Sequence, residues 1–376
     1  MSEFAAGPAG RIERVRALMV ERGYDAIVVR DEANLRWLTG VKGVFDYTFE
    51  FPHAAFITAD QCLFHTDSRY LNSFEENTPG GSPWVYDMDE GTIPGWVAGK
   101  IAANKCRVCA VEDDMQINFY QGIQRGLEDR SVACMLPLMH DDIRKMRAIK
   151  DAEEIELMRH AQSITDAAFQ HMLGYIKPGM TEKQVRNELE NFMFANGADS
   201  LAFGSIVASG PNTANPHAVP SDRVIEKGDF VLMDYGAGYC DYRSDMTRTV
   251  VMGEPTSEQL DLYALVRRTH EECVAAIHPG VEGNDIFKLS KKIIGDAGYG
   301  DYYNHGLGHG VGIDIHELPN FNRSKNIIEV GSVITMEPGV YLPGVGGVRL
   351  EDYGVVTENG YEPFTKTPHD LHVIDC

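Results

Sequence analysis

Apolar and polar positions along this chain fall into two regimes. Through about residue 140, short apolar runs bounded by polar turns alternate with helical periods. The runs DAIVVR, HAAFITAD, QCLFHTD and RVCAVE (25–30, 53–60, 61–67 and 107–112) read as strands. Residues 11–23 read as an amphipathic helix with Ile12, Val15, Leu18 and Met19 on one side, and residues 94–103 as a second helix. This alternation predicts a small α/β domain. A charged stretch, DDIRKMRAIKDAEEI (141–155), then leads into a long helix whose apolar face is Leu157, Met158, Ala161, Ile164, Ala168 and Met172. The boundary is expected near residue 145, dividing the chain into domains 1–145 and 146–376.

The second regime repeats itself. Ile176-Lys-Pro-Gly179 recurs as Ile277-His-Pro-Gly280, and at the same offset Val185, Phe192, Met193 and Gly197 match Ile286, Ile293, Ile294 and Gly298. Each copy ends one helix at Pro-Gly and starts another that stops at a glycine. Thr181 with Gln184 supplies a capping box in the first copy. Further on, the strand-like stretch from Glu226 to Asp234 aligns with that from Glu329 to Glu337, and Arg243-Ser-Asp245 aligns with Arg349-Leu-Glu351. Three successive matches in one order predict two helix–helix–hairpin halves related by an approximate twofold axis, an α+β domain.

Composition narrows the function classes. The 376 residues carry 34 Lys+Arg against 56 Asp+Glu, a net charge of −22. That excess argues against a nucleic-acid or anionic-membrane surface, because phosphate binding needs clustered cations. Hydrophobic content of 43% and charged content of 24% describe an ordinary globular chain. The N-terminal stretch lacks the continuous apolar run of a signal peptide or membrane helix. Seven scattered cysteines, Cys106 and Cys109 among them, fit free thiols in a reducing cytoplasm better than a disulfide framework.

Four of the acids are arranged. Asp234 and Asp245 are symmetric about Tyr239–Cys240, and Glu337 and Glu351 about Gly344. Antiparallel hairpins centred there would place each pair across adjacent strands, with Cβ atoms about 4.5–5.5 Å apart. Like charges so close need protons or a cation. The twofold would bring both pairs to one centre, which demands metal. Between the hairpins, His305, His309 and His316 lie among glycines that let backbone approach a site closely.

The segments DYGAGYCDYRSDMTRT, HGLGHGVGIDIHE, TMEPGVYLPG and GGVRLED resemble the metal-binding motifs of the pita-bread metallopeptidases, most closely those of Xaa-Pro aminopeptidases and Xaa-Pro dipeptidases. NLRWLTGVKG and LFHTDSRY resemble the family's creatinase-like N-terminal domain, and PHAVPSDRVIEKGD its substrate-binding stretch. The resemblance implies a pita-bread catalytic domain after a smaller creatinase-like α/β domain. It makes Asp234, Asp245, His309, Glu337 and Glu351 ligands of two divalent metal ions, with Asp245 and Glu351 bridging. Mn²⁺ stands first, and Co²⁺, Zn²⁺ and Fe²⁺ suit the same donors. A metal-bridging hydroxide would attack the carbonyl preceding a proline. His217 and His316 would contact substrate and assist charge or proton movement, and Glu337 would help carry the proton. His305 and Arg349 would line and orient the site, Arg349 pairing alternatively with Asp352. The implied partner is a small peptide with proline at its second position, hydrolysed by a cytoplasmic homodimer.

The resemblance spans both the aminopeptidase and the dipeptidase. Two other classes stay open: a non-peptide C–N hydrolase of the ectoine hydrolase type, and a non-catalytic binding protein on this fold. Creatinase itself is disfavoured because the ligand set is intact, and a dimethylsulfoniopropionate lyase because Gly236 stands where that enzyme carries Asp. His171, His270 and His278 read as surface or capping residues. Trp37 reads as core, with a place beside a partner's pocket as the alternative.

Overall fold

The structure is a computed structural model that describes residues 7–44, 51–88, 91–322 and 325–376. The chain divides into two compact units, Met1–Arg147 and Ala148–Cys376.

The first unit is built on a five-stranded mixed sheet in the spatial order Val85–Asp87, Cys62–His65, Ala54–Thr58, Ala26–Val29, Cys109–Val111. Its central strands are buried along their whole length and apolar but for Thr58, as expected of strands covered on both faces. Trp96, Val97 and Ile101 of the helix Ile93–Ala103 pack with Ile123 and Leu127 of the helix Ile117–Asp129. The N-terminal helix Gly7–Arg22 buries Ile12, Val15, Leu18 and Met19, the face its periodicity predicts. Trp37 is buried inside this unit, where the Arg11 and Arg14 guanidiniums lie 5.2 and 4.9 Å from its ring centroid. Cys106 and Cys109 are buried free thiols.

The second unit carries the duplication. Its helix pairs are Ala152–Tyr175 with Glu182–Ala195, and Ser257–Ala275 with Gly283–Asp296. Asp151 with Glu154 and Thr181 with Gln184 form capping boxes, so the first pair starts where its polar residues dictate. Corresponding glycines adopt the same left-handed backbone in the two halves: Gly179 and Gly280 have φ 93° and 87°, and Gly197 and Gly298 have 101° and 88°. The duplication is therefore one of backbone conformation as well as of sequence.

Two antiparallel ladders carry the acids. Phe230–Tyr235 pairs with Met246–Met252, and Val333–Met336 pairs with Asp352–Thr357. In the second ladder Met336 faces Asp352, and in the neighbouring hairpin Gly339 faces Arg349, a register that sets Glu337 across from Glu351. The first ladder corrects the expected register. Asp234 faces Thr247, and Tyr239 faces Tyr242. Cys240 and Asp241 form the turn, both with positive φ, 46° and 72°. This is the two-residue hairpin geometry that matches strand twist, and it displaces Asp245 from Asp234 to the level of Gly236. A Cβ on Gly236 would lie 1.9 Å from the Ser244 carbonyl oxygen, so glycine there lets the chain close beside Asp245.

Candidate metal centre

The two ladders meet along a seam of threonines and arginines. Thr247 Oγ1 donates to Glu351 Oε2 at 2.6 Å, and the Glu351 amide donates to the Thr247 carbonyl at 3.1 Å. Arg248 Nη1 donates to the Glu351 carbonyl at 2.6 Å. Thr249 Oγ1 donates to the Arg349 carbonyl at 3.0 Å. Asp245, which precedes Met246–Met252, and Glu351, which precedes Asp352–Thr357, are thereby fixed side by side in a buried position.

His309 enters from Gly308–Gly310, a strand packed between Glu317–Phe321 and Val333–Met336. Added Cβ atoms on Gly308 and Gly310 would come within 2.3 Å of Thr335 O and 2.2 Å of Leu318 O, so glycine on both sides seats the histidine strand this close. His309 Nε2 lies 3.6 Å from Asp245 Oδ2 and 3.7 Å from Glu337 Oε1. Donor atoms of Asp245, His309 and Glu351 all lie within 4.8 Å of one another. The other ring nitrogen, Nδ1, is 3.0 Å from the Gly310 carbonyl. Donation from Nδ1–H to that carbonyl selects the tautomer whose Nε2 lone pair points at the carboxylates.

Electrostatics make this cluster unstable as bare charge. Burial, reinforced by Glu351, Asp234 and Glu337, holds the Asp245 carboxyl well above its ordinary range. Burial with Glu337 and Asp234 does the same to Glu351. Glu337 is raised to about 8, chiefly by burial. Burial and the neighbouring His316 lower His309 to about 3, leaving it neutral. Asp234 has one oxygen paired with Arg349 Nη2 at 2.5 Å, while its buried Oδ1 has no hydrogen-bond partner. Crowded carboxylates, a neutral imidazole and an unserved buried oxygen fit divalent cations.

The centre forms one wall of a cavity of about 680 Å³ that brings together all nine residues singled out from the sequence: His217, Asp234, Asp245, His305, His309, His316, Glu337, Arg349 and Glu351. Phe203, Ile206, Val219 and Ile315 supply apolar surface. His217 and His316 are exposed. His305 is half-buried, with Nε2 2.9 Å from the Tyr341 hydroxyl. Arg349 is buried and faces Asp234. Its remaining bonds go to Thr247 Oγ1, the Tyr341 hydroxyl and the Pro216 carbonyl. Asp352 is taken instead by Arg248, at 2.7 Å, so the alternative pairing with Arg349 does not form.

Several supporting residues escaped the sequence reading. Glu182, a buried carboxylate at the start of Glu182–Ala195, accepts five hydrogen bonds: from the amide and hydroxyl of Ser209, from Asn212 Nδ2, and from the amide and hydroxyl of Ser221. It gathers both ends of the loop that presents His217. Lys150 and Glu317, both buried, pair at 3.0 Å and anchor the loop that presents His316. Arg243 braces the same loop through the Ile313 carbonyl at 2.7 Å. No local pattern marks these residues, because each acts across a long sequence separation. Of the histidines read as surface or capping residues, His171 is part-exposed and pairs with Glu188 at 2.7 Å, whereas His270 is buried.

Comparison with known proteins follows the same division. The model of metallopeptidase family M24 matches residues 156–358, and that of the creatinase/prolidase N-terminal domain matches residues 11–149. The uncharacterized peptidase YqhT of Bacillus subtilis (strain 168) is 36% identical over 372 residues, 97% of this chain and 100% of that protein. The Xaa-Pro dipeptidase from Bacillus anthracis superposes with TM-score 0.89 at 35% identity, over 98% of this chain and 100% of that one. The X-Pro aminopeptidase from Thermotoga maritima MSB8 gives 0.85 at 30% identity, over 97% and 100%.

Proposed function

The chain belongs to metallopeptidase family M24 and carries that family's creatinase/prolidase N-terminal domain, and from this premise we propose that it hydrolyses the peptide bond between an N-terminal residue and proline. The observation that carries the reading is the convergence of four carboxylates and one neutral imidazole on the wall of a cavity that two exposed histidines, His217 and His316, also line. Relatives and structural neighbours with Xaa-Pro dipeptidase and X-Pro aminopeptidase names support the bond specificity.

Asp234, Asp245, His309, Glu337 and Glu351 would hold two divalent ions, with Mn²⁺ favoured by a donor set of four carboxylates and one nitrogen. When bound, such ions make a water nucleophilic near neutral pH and polarise a carbonyl. The remaining work falls to the chain's own side chains. Glu337, with 19% of its side chain exposed against 5% for Asp245, is the buried carboxylate with the better view of the cavity. It is the group we assign to carry a proton to the departing nitrogen. That nitrogen needs one, because expelling a prolyl amine as an anion is prohibitively costly. His217 and His316 hold the scissile carbonyl and stabilise the negative charge that develops on it. Phe203, Val219 and Ile315 provide an apolar surface for the pyrrolidine ring.

We assign the enzyme to a reducing cytoplasm, which its seven free cysteines support, and to a homodimer by likeness to family dimers. No helix among the described residues is long and apolar enough to cross a membrane.

The test is a substrate panel. Mn²⁺-loaded enzyme is offered Xaa-Pro dipeptides, longer peptides beginning Xaa-Pro, and matched Xaa-Ala controls. Cleavage is expected at Xaa-Pro alone, lost on chelation and restored by Mn²⁺. Activity on dipeptides only, or on longer chains as well, assigns the dipeptidase or the aminopeptidase. Full metal loading without cleavage of any Xaa-Pro substrate would overturn the reading.

A further inference from the structure

Outside the cavity lining, around Asp352, the residue after Glu351, three side chains that the proposed reaction does not use come together. His270 lies within the helix Ser257–Ala275 and is 1% exposed, and neither of its ring nitrogens has a hydrogen-bond partner. Its Nε2 lies 3.5 Å from Asp352 Oδ2. His369, in the C-terminal segment, places its own Nε2 2.5 Å from the same oxygen. The two imidazoles meet edge to face with centroids 4.8 Å apart, and one donor atom from each of the three residues lies within 4.8 Å of the other two. The other carboxylate oxygen, Oδ1, accepts from Arg248 Nη2 at 2.7 Å.

Hydrogen bonding explains only part of this arrangement. An N–H of His369 donated to Asp352 satisfies those two groups. It leaves His270 stripped of water with both ring nitrogens unserved, and buried polar atoms in native proteins rarely stay so. Burial lowers His270 to about 4, so its ring is neutral and offers a lone pair.

We infer that His270, Asp352 and His369 form a second cation site, separate from the five-residue centre, that takes one divalent ion of the Zn²⁺ class. Two imidazole nitrogens and one carboxylate oxygen are the donor set of borderline metals, whereas Mg²⁺ and Ca²⁺ select oxygen. Three protein ligands leave a coordination position for water. His369, 28% exposed at its side chain, opens the site to solvent. Glu271 Oε1, which accepts from Arg267 Nε at 2.7 Å, lies 3.9 Å from His369 Nδ1 and adds negative charge beside the site. Charge sets the rank of the site. Arg248 already balances Asp352, so the ion brings net positive charge, and the site binds more weakly than the four-carboxylate centre.

The experiment counts zinc. Metal-depleted full-length protein is titrated with Zn²⁺ by calorimetry, and bound zinc is measured by elemental analysis after desalting, for wild type, His270→Ala, His369→Ala and Glu351→Gln. Wild type is expected to bind one equivalent more than either histidine variant, in the weaker phase of the titration. Glu351→Gln should keep that weaker phase while losing stoichiometry or affinity in the tighter one, so the two centres are read separately. His369→Ala is on a part-exposed segment and decides the question alone if His270→Ala does not fold. Wild type and a folded His369→Ala binding equal zinc with identical isotherms would overturn the site, leaving a His–Asp–His hydrogen-bond cluster.

Discussion

Glu351→Gln is expected to cut turnover by more than the ~10–100-fold that changes behind a metal ligand cost, and at the same time to raise the melting temperature of the chelated protein. The opposite signs follow from one cause. Glu351 is 2% exposed and lies among Asp234, Asp245 and Glu337, so without a cation the folded state must protonate or repel. An amide of the same shape removes one participant in that conflict. Its Thr247 contact survives, because the threonine hydroxyl can reverse from donor to acceptor. Relief on the order of 1 kcal/mol corresponds to a rise of about 2–4 °C for a unit of this size. In Mn²⁺ the order reverses. Ions that bind only the folded state stabilise it by ~2.7 kcal/mol at a hundredfold excess over Kd, and the variant forgoes most of that gain. Thermal melts of both proteins in chelator and in Mn²⁺ should therefore cross. A variant less stable than wild type in chelator would refute the account of the bare cluster as mutually repelling charge.

The legible part of this centre was the part written in short-range pattern. Glu337 and Glu351 face each other because Pro343, Gly344 and Val345 make the turn their symmetry predicts, between the paired residues Leu342 and Gly346. Asp234 and Asp245 carry the same symmetry argument but do not face each other. Their turn falls on Cys240–Asp241, two non-glycine residues in left-handed conformation, and nothing in YCDY announces such a turn. The helix pairs were legible because capping boxes and left-handed glycines are local signals. Glu182, Thr247 and the Lys150–Glu317 pair were not, because their partners lie far along the chain and a buried carboxylate looks in sequence like any surface one. The net charge of −22 conceals this difference: most of its acids face water, while a few are buried and decide the chemistry.

His217→Ala is expected to lower kcat by about 10²- to 10³-fold, the range for loss of an acid–base or oxyanion partner, with thermal stability nearly unchanged because the side chain is exposed. The structure holds this histidine through its surroundings. Its amide donates to Asn215 Oδ1 at 3.3 Å, and the preceding carbonyl, of Pro216, accepts from Arg349 Nη1 at 3.3 Å. Glu182 ties together Ser209 and Ser221 on either side. Glu182→Gln keeps the volume but turns one acceptor oxygen into a donor, so at least two of the five bonds must break or reverse. It should lower kcat about tenfold through misplacement of a group it never touches. If that loss runs through His217, it largely disappears when Glu182→Gln is made in the His217→Ala background, where no histidine remains to be misplaced. The double-mutant cycle in kcat isolates this dependence from any general weakening of the fold, which the melting temperatures of the same four proteins report. Near-normal turnover in His217→Ala would remove its assigned role. A large His217 effect with fully additive Glu182→Gln would keep that role and place the work of Glu182 elsewhere in the loop.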